Sequence, residues 1–298
     1  INHIIGLNVR DCNFHFEVGA DLFDDELLDV LESAPPGLFQ VEAGVQTTNE
    51  ATLEAINRKT NIPRLFTNLK RLIKSGNVHV HADLIAGLPY EDFRTFTKSF
   101  NDLYAVGSHY LQLGFLKFLK GTAMRESAKA LGYHFYDQPP YEILSGKDIS
   151  YDELIVLKGI AHLLDRYYNS GRFWFSLKYI IESTFKSPFD FYVSFLDFYS
   201  QEGRLNSNIS VKDLFYILKK FADSCMEAVK RDVLKELLKL DFLSSDNSGT
   251  LPEFLKPRYD KEFNEKCYSF AKDTSKISKL IPEAVFIPSK ELYKKLHF

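Results

Sequence analysis

Three stretches of this chain, Phe14 to Ala20, Phe39 to Gln46 and Val78 to Ile85, alternate apolar and polar residues. In a strand, successive side chains point to opposite faces. The first stretch sets Phe14, Phe16 and Val18 against His15 and Glu17. The second sets Phe39, Val41, Ala43 and Val45 against Gln40, Glu42, Gly44 and Gln46. The third sets Val78, Val80 and Ala82 against His79, His81 and Asp83. Helical segments follow each strand, so the apolar faces must meet helices. The polar faces then look into the middle of the sheet. A closed parallel barrel fills that middle with branched apolar side chains. Acids, amides and imidazoles there predict a wet cavity that holds a ligand.

The first half alternates strand and helix. Asp24 is placed to cap a helix carrying Leu27, Leu28, Val30 and Leu31, which Pro35-Pro36-Gly37 stops. Thr47-Thr48-Asn49 supplies caps for a short helix ending near Arg58. Pro63 opens a helix with Leu65, Leu69, Leu72 and Ile73 as its stripe, ended by Ser75-Gly76-Asn77. A helix over about 91–105 leads to a fourth strand, Tyr110 to Phe118. Repeated βα units of this length imply parallel strands. A complete eight-stranded barrel takes about 250 residues, so four strands predict part of a barrel.

The second half changes character near Pro139-Pro140. Ser150 and Glu153 form a capping box before Leu154, Leu157, Ile160 and Leu164. Ser187-Pro188 opens an aromatic helix, and Ser210 with Asp213 starts one long stripe from Leu214 through Cys225 to Leu237. Phe173-Trp174-Phe175 and the Phe/Tyr run at 189–199 read as helix core, and Cys225 and Cys267 as buried thiols. Ser244 to Gly249 reads as a polar loop, and the tail with Pro252, Pro257, Pro282 and Pro288 as irregular or short-element structure. The expected fold is α/β: a partial (β/α) barrel of about four parallel strands over residues 1–148, then an all-α domain over 149–298.

Composition narrows the partners. A net charge of −3 and a pI near 6.3 give no electrostatic ground for nucleic acid. No apolar run reaches the roughly 18 residues that span a bilayer, and the start has no signal-peptide pattern. The cysteines Cys12, Cys225 and Cys267 are too scattered for a CxxC cluster or a disulfide framework, which fits a reducing, cytoplasmic setting. The chain starts at Ile1, with methionine only at Met124 and Met226, and so reads as a fragment or a processed product.

Active groups on parallel barrels sit at the carboxyl ends of strands. Glu17, Gln46 and Asp83 fall late on their strands and on the polar face, with Gly19, Gly44 and Gly87 allowing close approach of a ligand. Arg58, at a helix end, can grip a carboxylate with two hydrogen bonds. The set suits a zwitterionic, sugar-bearing ligand, with Glu42, His81, Gln112 and Lys117 as candidates for lining a substrate cavity.

Gly44-Val45-Gln46-Thr47, Ala55-Ile56-Asn57-Arg58 and Asp83-Leu84-Ile85-Ala86-Gly87-Leu88-Pro89 together resemble the radical S-adenosylmethionine enzymes. They are similar to the oxygen-independent coproporphyrinogen oxidase group and to cobalamin-binding radical enzymes. Leu116-Lys117-Phe118-Leu119-Lys120-Gly121-Thr122 and Pro139-Pro140-Tyr141-Glu142 look like a cobalamin-binding subgroup. The resemblance covers roughly residues 10–170. It implies that Glu17 binds the ribose of S-adenosylmethionine, that Gly44, Gln46 and Asp83 contact the cofactor, and that Arg58 holds its carboxylate. It implies an intact parent, an oxidoreductase or transferase, that cleaves S-adenosylmethionine reductively with an iron–sulfur cluster and cobalamin. The family's three-cysteine motif is absent from this sequence, and Cys12 cannot replace it. The piece alone is therefore expected to be inactive, with an unidentified small-molecule substrate in the parent and an exposed sheet edge open to dimerisation.

Other readings stand beside this one. Glu17 and Asp83 can be structural carboxylates, Arg58 a surface arginine, Gln46 a satisfied core amide, and Gly87-Leu88-Pro89 a turn that ends a strand. His79-x-His81 with Asp83 is the pattern of a metal-dependent barrel hydrolase. The helical half allows a non-catalytic interaction module.

Overall fold

The computed structural model of the chain describes residues 1–9, 11–205, 207–245, 251–256, 261–280 and 288–295. Its elements run α1 (Asn2–Gly6), β1 (Phe14–Val18), α2 (Asp25–Glu32), β2 (Phe39–Gln46), α3 (Glu50–Ala55), α4 (Ile62–Ser75), β3 (Val78–Ala86), α5 (Phe93–Tyr104) and β4 (Tyr110–Phe115). There follow α6 (Ala123–Ser127), β5 (His134–Phe135), β6 (Ile143–Ser145), α7 (Tyr151–Leu163), α8 (Trp174–Thr184), α9 (Pro188–Gln201), α10 (Val211–Cys225), α11 (Ala228–Ser245), α12 (Lys261–Lys272), α13 (Thr274–Leu280) and α14 (Ser289–Lys295).

The fold is α/β. Strands β1 to β4 form one parallel sheet in sequence order, and β5 pairs antiparallel with β6. This is the expected partial barrel with helices following. Local chemistry sets the helices. Asp24 accepts the Leu27 N–H at 2.9 Å and starts α2. Asn61 accepts the Arg64 N–H at 3.0 Å, Pro63 sits in the first turn of α4, and Gly76 closes it with φ 73°. Leu65, Leu69 and Leu72 of α4 are 0–1% exposed, each contributing about 2 kcal/mol by burial. The Ser150–Glu153 capping box of α7 forms in both directions.

Two compact units share the chain. The first holds Ile1–Asn169 and Lys186–Leu205, the second Ser170–Phe185 and Asn206–Phe298. The units alternate along the chain, and α7 and α9 fall in the unit that holds the sheet. In the first unit, α9 buries Phe189, Phe191, Tyr192, Phe195 and Tyr199 at 0–3% exposure, the expected aromatic core. Asn101 of α5 accepts the Phe189 N–H at 3.0 Å.

In the second unit, Phe215 of α10 packs its ring 4.2 Å from Phe173 and 5.1 Å from Phe242. Asp241 of α11 accepts the N–H groups of Phe175 and Ser176 at 3.1 and 2.8 Å and so caps α8 from a distance. Ala271, Ile277 and Leu292 form a small cluster of their own.

Several expectations are corrected here. β4 ends at Phe115 rather than Phe118. The long stripe from Leu214 to Leu237 is two helices, broken where Met226 takes extended angles. Trp174 and Phe175 are exposed at the start of α8, with Phe173 alone buried. Cys225 is exposed and Cys267 half-buried rather than core thiols. The tail forms helices α12 to α14, with Pro252 before a short 3-10 turn and Pro288 just ahead of α14. Of the expected polar loop, Ser244 and Ser245 close α11. Residues 246–249, Pro257 and Pro282 lie outside the described residues. Among the described residues no helix is long and apolar enough to cross a membrane.

Candidate functional site

The two faces of the sheet differ as the alternation demands. Phe39, Val41, Ala43, Val45, Val78, Val80, Ala82, Leu84 and Leu111 are 0–1% exposed on the helix-covered face. The other face carries His15 and Glu17, Gln40, Glu42 and Gly44, His79, His81 and Asp83, then Tyr110 and Gln112, in register across the strands, with Gln46 just past the last pair in step. This polar face is open: Gln46, Glu42, His81 and Asp83 are half-buried, and Glu17, His79 and Gln112 exposed. The expected wet interior is thus a polar surface over four strands.

At the carboxyl end of β2 the ladder slips. Gly44 stands opposite Asp83, and Gln46 opposite Leu84, so Val45 is the extra residue of a bulge. Gln46 takes φ 67°, a left-handed conformation rare for a residue with a side chain. That turn folds its amide back over Gly44, where Nε2 donates to Asp83 Oδ2 at 3.1 Å. A Cβ on Gly44 would stand 2.5 Å from Gln46 Nε2 and 3.2 Å from Arg58 Nη2, so only glycine leaves the Gln46 amide in this position. Arg58, just past α3, donates through Nη2 to the Gly44 carbonyl. The guanidinium expected to grip a carboxylate thus also braces the bulge through one of its N–H groups. Gln46 Oε1 and Arg58 Nε are both buried and have no hydrogen-bond partner among the described residues.

Thr47 and Thr48 hold the bulge from behind. Thr47 Oγ1 donates to Glu91 Oε1 at 2.5 Å, and Ser99 Oγ donates to the same oxygen at 2.8 Å. Ser99 Oγ accepts the Thr48 N–H at 3.1 Å, and Thr48 Oγ1 donates to Asp102 at 2.9 Å. Glu91 is 1% exposed. Burial pushes its carboxyl up, against the pull of the Thr47 and Ser99 bonds. Nothing local marks Glu91 in the sequence, because its partners lie on β2's exit and on α5.

Charge on the face follows from crowding. The Asp83 carboxyl is pushed up to about 6, first by burial, then by Glu42 and more weakly by Glu17, against Arg58 and the Gln46 bond. His15 Nε2 meets Glu42 Oε2 at 2.9 Å. His81 stacks on Tyr110 at 4.7 Å, with its ring centroid 4.8 Å from His79 and 6.1 Å from His15. His109 stacks on His79 at 4.9 Å. Burial and then the other three imidazoles press His81 down to about 4. His109 and Tyr110 are members of this row that the sequence pattern did not single out. The sheet brings Glu17, Glu42, Gly44, Gln46, Arg58, Asp83, His81 and Gln112 to one face. Lys117 lies beyond β4, exposed, its backbone bridged to Glu142.

Among the described residues no group of three His, Cys, Asp or Glu side chains is disposed to hold a metal ion, so His79, His81 and Asp83 do not form the hydrolase centre of the alternative reading. A cavity of about 460 Å³ is lined by Glu50, Leu53, Glu54, Asn57, Arg58, Lys59 and Thr60, on the α3 side of Arg58.

The chain is similar in structure to coproporphyrinogen III oxidase (HemN) from Escherichia coli, described as a radical SAM enzyme. The identity is 18%, the TM-score 0.33, and the match covers 50% of this chain and 38% of that chain. The chain thus spans about two fifths of that enzyme's length, and a likeness of this size does not reach that enzyme's activity. No curated protein matches. A family described as "Protein of unknown function (DUF4080)" matches residues 129–298, more than half of the chain. The chain belongs to the DUF4080 family.

Proposed function

We propose that the carboxyl ends of β2 and β3 bind the polar part of S-adenosylmethionine, as part of a radical-enzyme barrel that acts on a small molecule. The observation that carries this reading is the pair of buried, unpartnered atoms, Gln46 Oε1 and Arg58 Nε, beside Asp83. A buried amide oxygen left without a donor costs about 1–3 kcal/mol, and the left-handed Gln46 adds strain of its own. The two unpartnered atoms are satisfied if a ligand supplies the missing donor and acceptor. Glu17 and Glu42 offer carboxylates to ribose hydroxyls on the same face, and Asp83 a third. S-adenosylmethionine carries a cationic sulfonium, which suits an acid-rich face.

The residues fit the nucleoside ligand and not the cluster. Cys12 belongs to the first unit and Cys225 and Cys267 to the second, so no three thiolates of this chain gather on one body. No electron-transfer step is therefore assigned to these residues. Their work is to bind and orient: Arg58 and the Thr47–Glu91 bond fix the bulge, and Gln46 and Asp83 present oxygens to the ligand. Cobalamin rests on the resemblance alone.

Isothermal titration of S-adenosylmethionine into the iron-free chain tests the reading. Weak binding that falls at least tenfold in Gln46→Ala supports it. No binding by the wild-type chain, or binding indifferent to Gln46→Ala, contradicts it.

A further inference from the structure

Glu91 is a buried carboxyl with one oxygen served twice and the other left alone. Thr47 and Ser99, themselves buried, both donate to Oε1, at 2.5 and 2.8 Å. Oε2 is buried and meets no hydrogen-bond partner among the described residues. A carboxylate spreads its charge over both oxygens, so an ion here would leave buried charge unanswered at Oε2. A neutral acid sets its carbonyl where the two donors point and its hydroxyl at the bare oxygen, which loses one hydrogen bond and no more. The charged groups around it favour the neutral form. Asp92, next in the chain and near Arg94, keeps its own charge by accepting the Thr95 N–H and hydroxyl, both at 2.7 Å. On α5, Ser99 leads through Thr48 to Asp102, whose charge Lys98 takes up. Behind the loop, Asp148 accepts the Tyr90 N–H at 2.9 Å. Among the described residues no lysine, arginine or histidine pairs with Glu91.

The same carboxyl is tied to the end of β2. Thr47 N–H donates to Val45 O at 2.8 Å, which closes a three-residue turn with the left-handed Gln46 at its centre, a strained arrangement that needs holding. The Thr47 hydroxyl that rests on Glu91 also accepts the Asn49 N–H at 3.0 Å, and Asn49 donates to Tyr90 O at 2.9 Å. The exit of β2 and the loop after β3 are thus pinned to each other at Glu91, next to the Gln46–Asp83 bond. We propose that Glu91 is a positioning residue that holds the Gln46 turn only while it carries its proton, so that losing the proton frees Gln46 from Asp83 and weakens the hold on the ligand. Ionised, Glu91 draws water to Oε2, and the packing opens on the Thr47 side. The effect on the ligand rests on the reading given above; the linkage from Glu91 to Gln46 does not.

A pH titration of the ligand-free chain, read by two-dimensional amide NMR, tests the linkage. Gln46, Thr47, Thr48 and Ser99 should shift together in one step, and Glu91→Gln, which keeps an acceptor for Thr47 and Ser99, should abolish that step while the Asp83 step stays. Glu91→Gln should also be more stable than wild type at high pH, the difference closing on acidification, because wild type alone has this buried acid to ionise. In calorimetry, affinity for S-adenosylmethionine should fall at least about tenfold further across the step in wild type than in Glu91→Gln. No shared step, a step that persists in Glu91→Gln, or equal pH dependence of stability in the two proteins overturns the linkage. A shared step with the same pH dependence of affinity in both overturns its part in binding. A shared step with no S-adenosylmethionine bound at any pH supports the linkage and overturns the ligand reading instead.

Discussion

Asn169 closes the sheet at Leu111: one amide side chain accepts the strand's N–H and donates to its C=O, standing where a fifth strand's backbone would stand. The helix that ends in Asn169 reaches it through a wider π-type turn, Leu164–Tyr168, and Tyr168 OH donates to Ser108 O at 2.6 Å beside it. Asn169→Ala leaves both Leu111 groups unpaired at a buried residue. A loss of about 1–3 kcal/mol is expected in urea unfolding, and a variant as stable as wild type would show that solvent satisfies the edge.

Gly44→Ala tests the bulge itself. The new methyl would collide with the Gln46 amide and crowd Arg58. The fold should survive, because these are side-chain atoms that can move. Ligand binding by the polar face should fall at least tenfold as Gln46 leaves Asp83, a loss that calorimetry reads directly.

The polar face gives the chain two opposed pH dependences. The unfolded Asp83 releases its proton near its ordinary value, the folded one only near 6, so this group lowers stability as pH rises from about 4 to about 6. The unfolded His81 takes up a proton below 6.5, the folded one only near 4, so this group lowers stability as pH falls across that span. Asp83→Asn keeps an oxygen to accept the Gln46 N–H while removing the buried charge. It should be more stable than wild type at pH 7 and should lose stability more steeply on acidification. His81→Gln should instead gain stability between pH 6 and pH 4. Denaturation midpoints at several pH values separate the two.

Asp241→Ala removes the acceptor for two N–H groups at the first turn of α8. Asp241 is 3% exposed, so water does not easily replace it. A loss of about 1–3 kcal/mol in the second unit is expected, seen as earlier amide exchange at Phe175 and Ser176.

What the sequence made legible was local or periodic. The period of two placed Phe39 to Gln46 on its residues, and Asp24, Ser150, Ser187 and Ser210 announced their helices because a cap lies three residues from the N–H it serves. The same alternation put Glu17, Glu42, Gln46 and Asp83 on one face. What it hid was long-range. Glu91 takes its meaning from Thr47 and Ser99, Asn169 from Leu111, and His109 from His79. The brace from Arg58 to the Gly44 carbonyl was hidden because the two residues stand fourteen apart in the chain. The polar composition of the tail masked α12 and α13, whose described side chains include few buried ones to mark a stripe.

The most direct test of the ligand reading is a two-dimensional amide NMR titration with S-adenosylmethionine. The account expects shifts concentrated at Gly44, Gln46, Thr47, Arg58 and Asp83, absent in Gln46→Ala. Shifts confined to the second unit, or none at all, would contradict it.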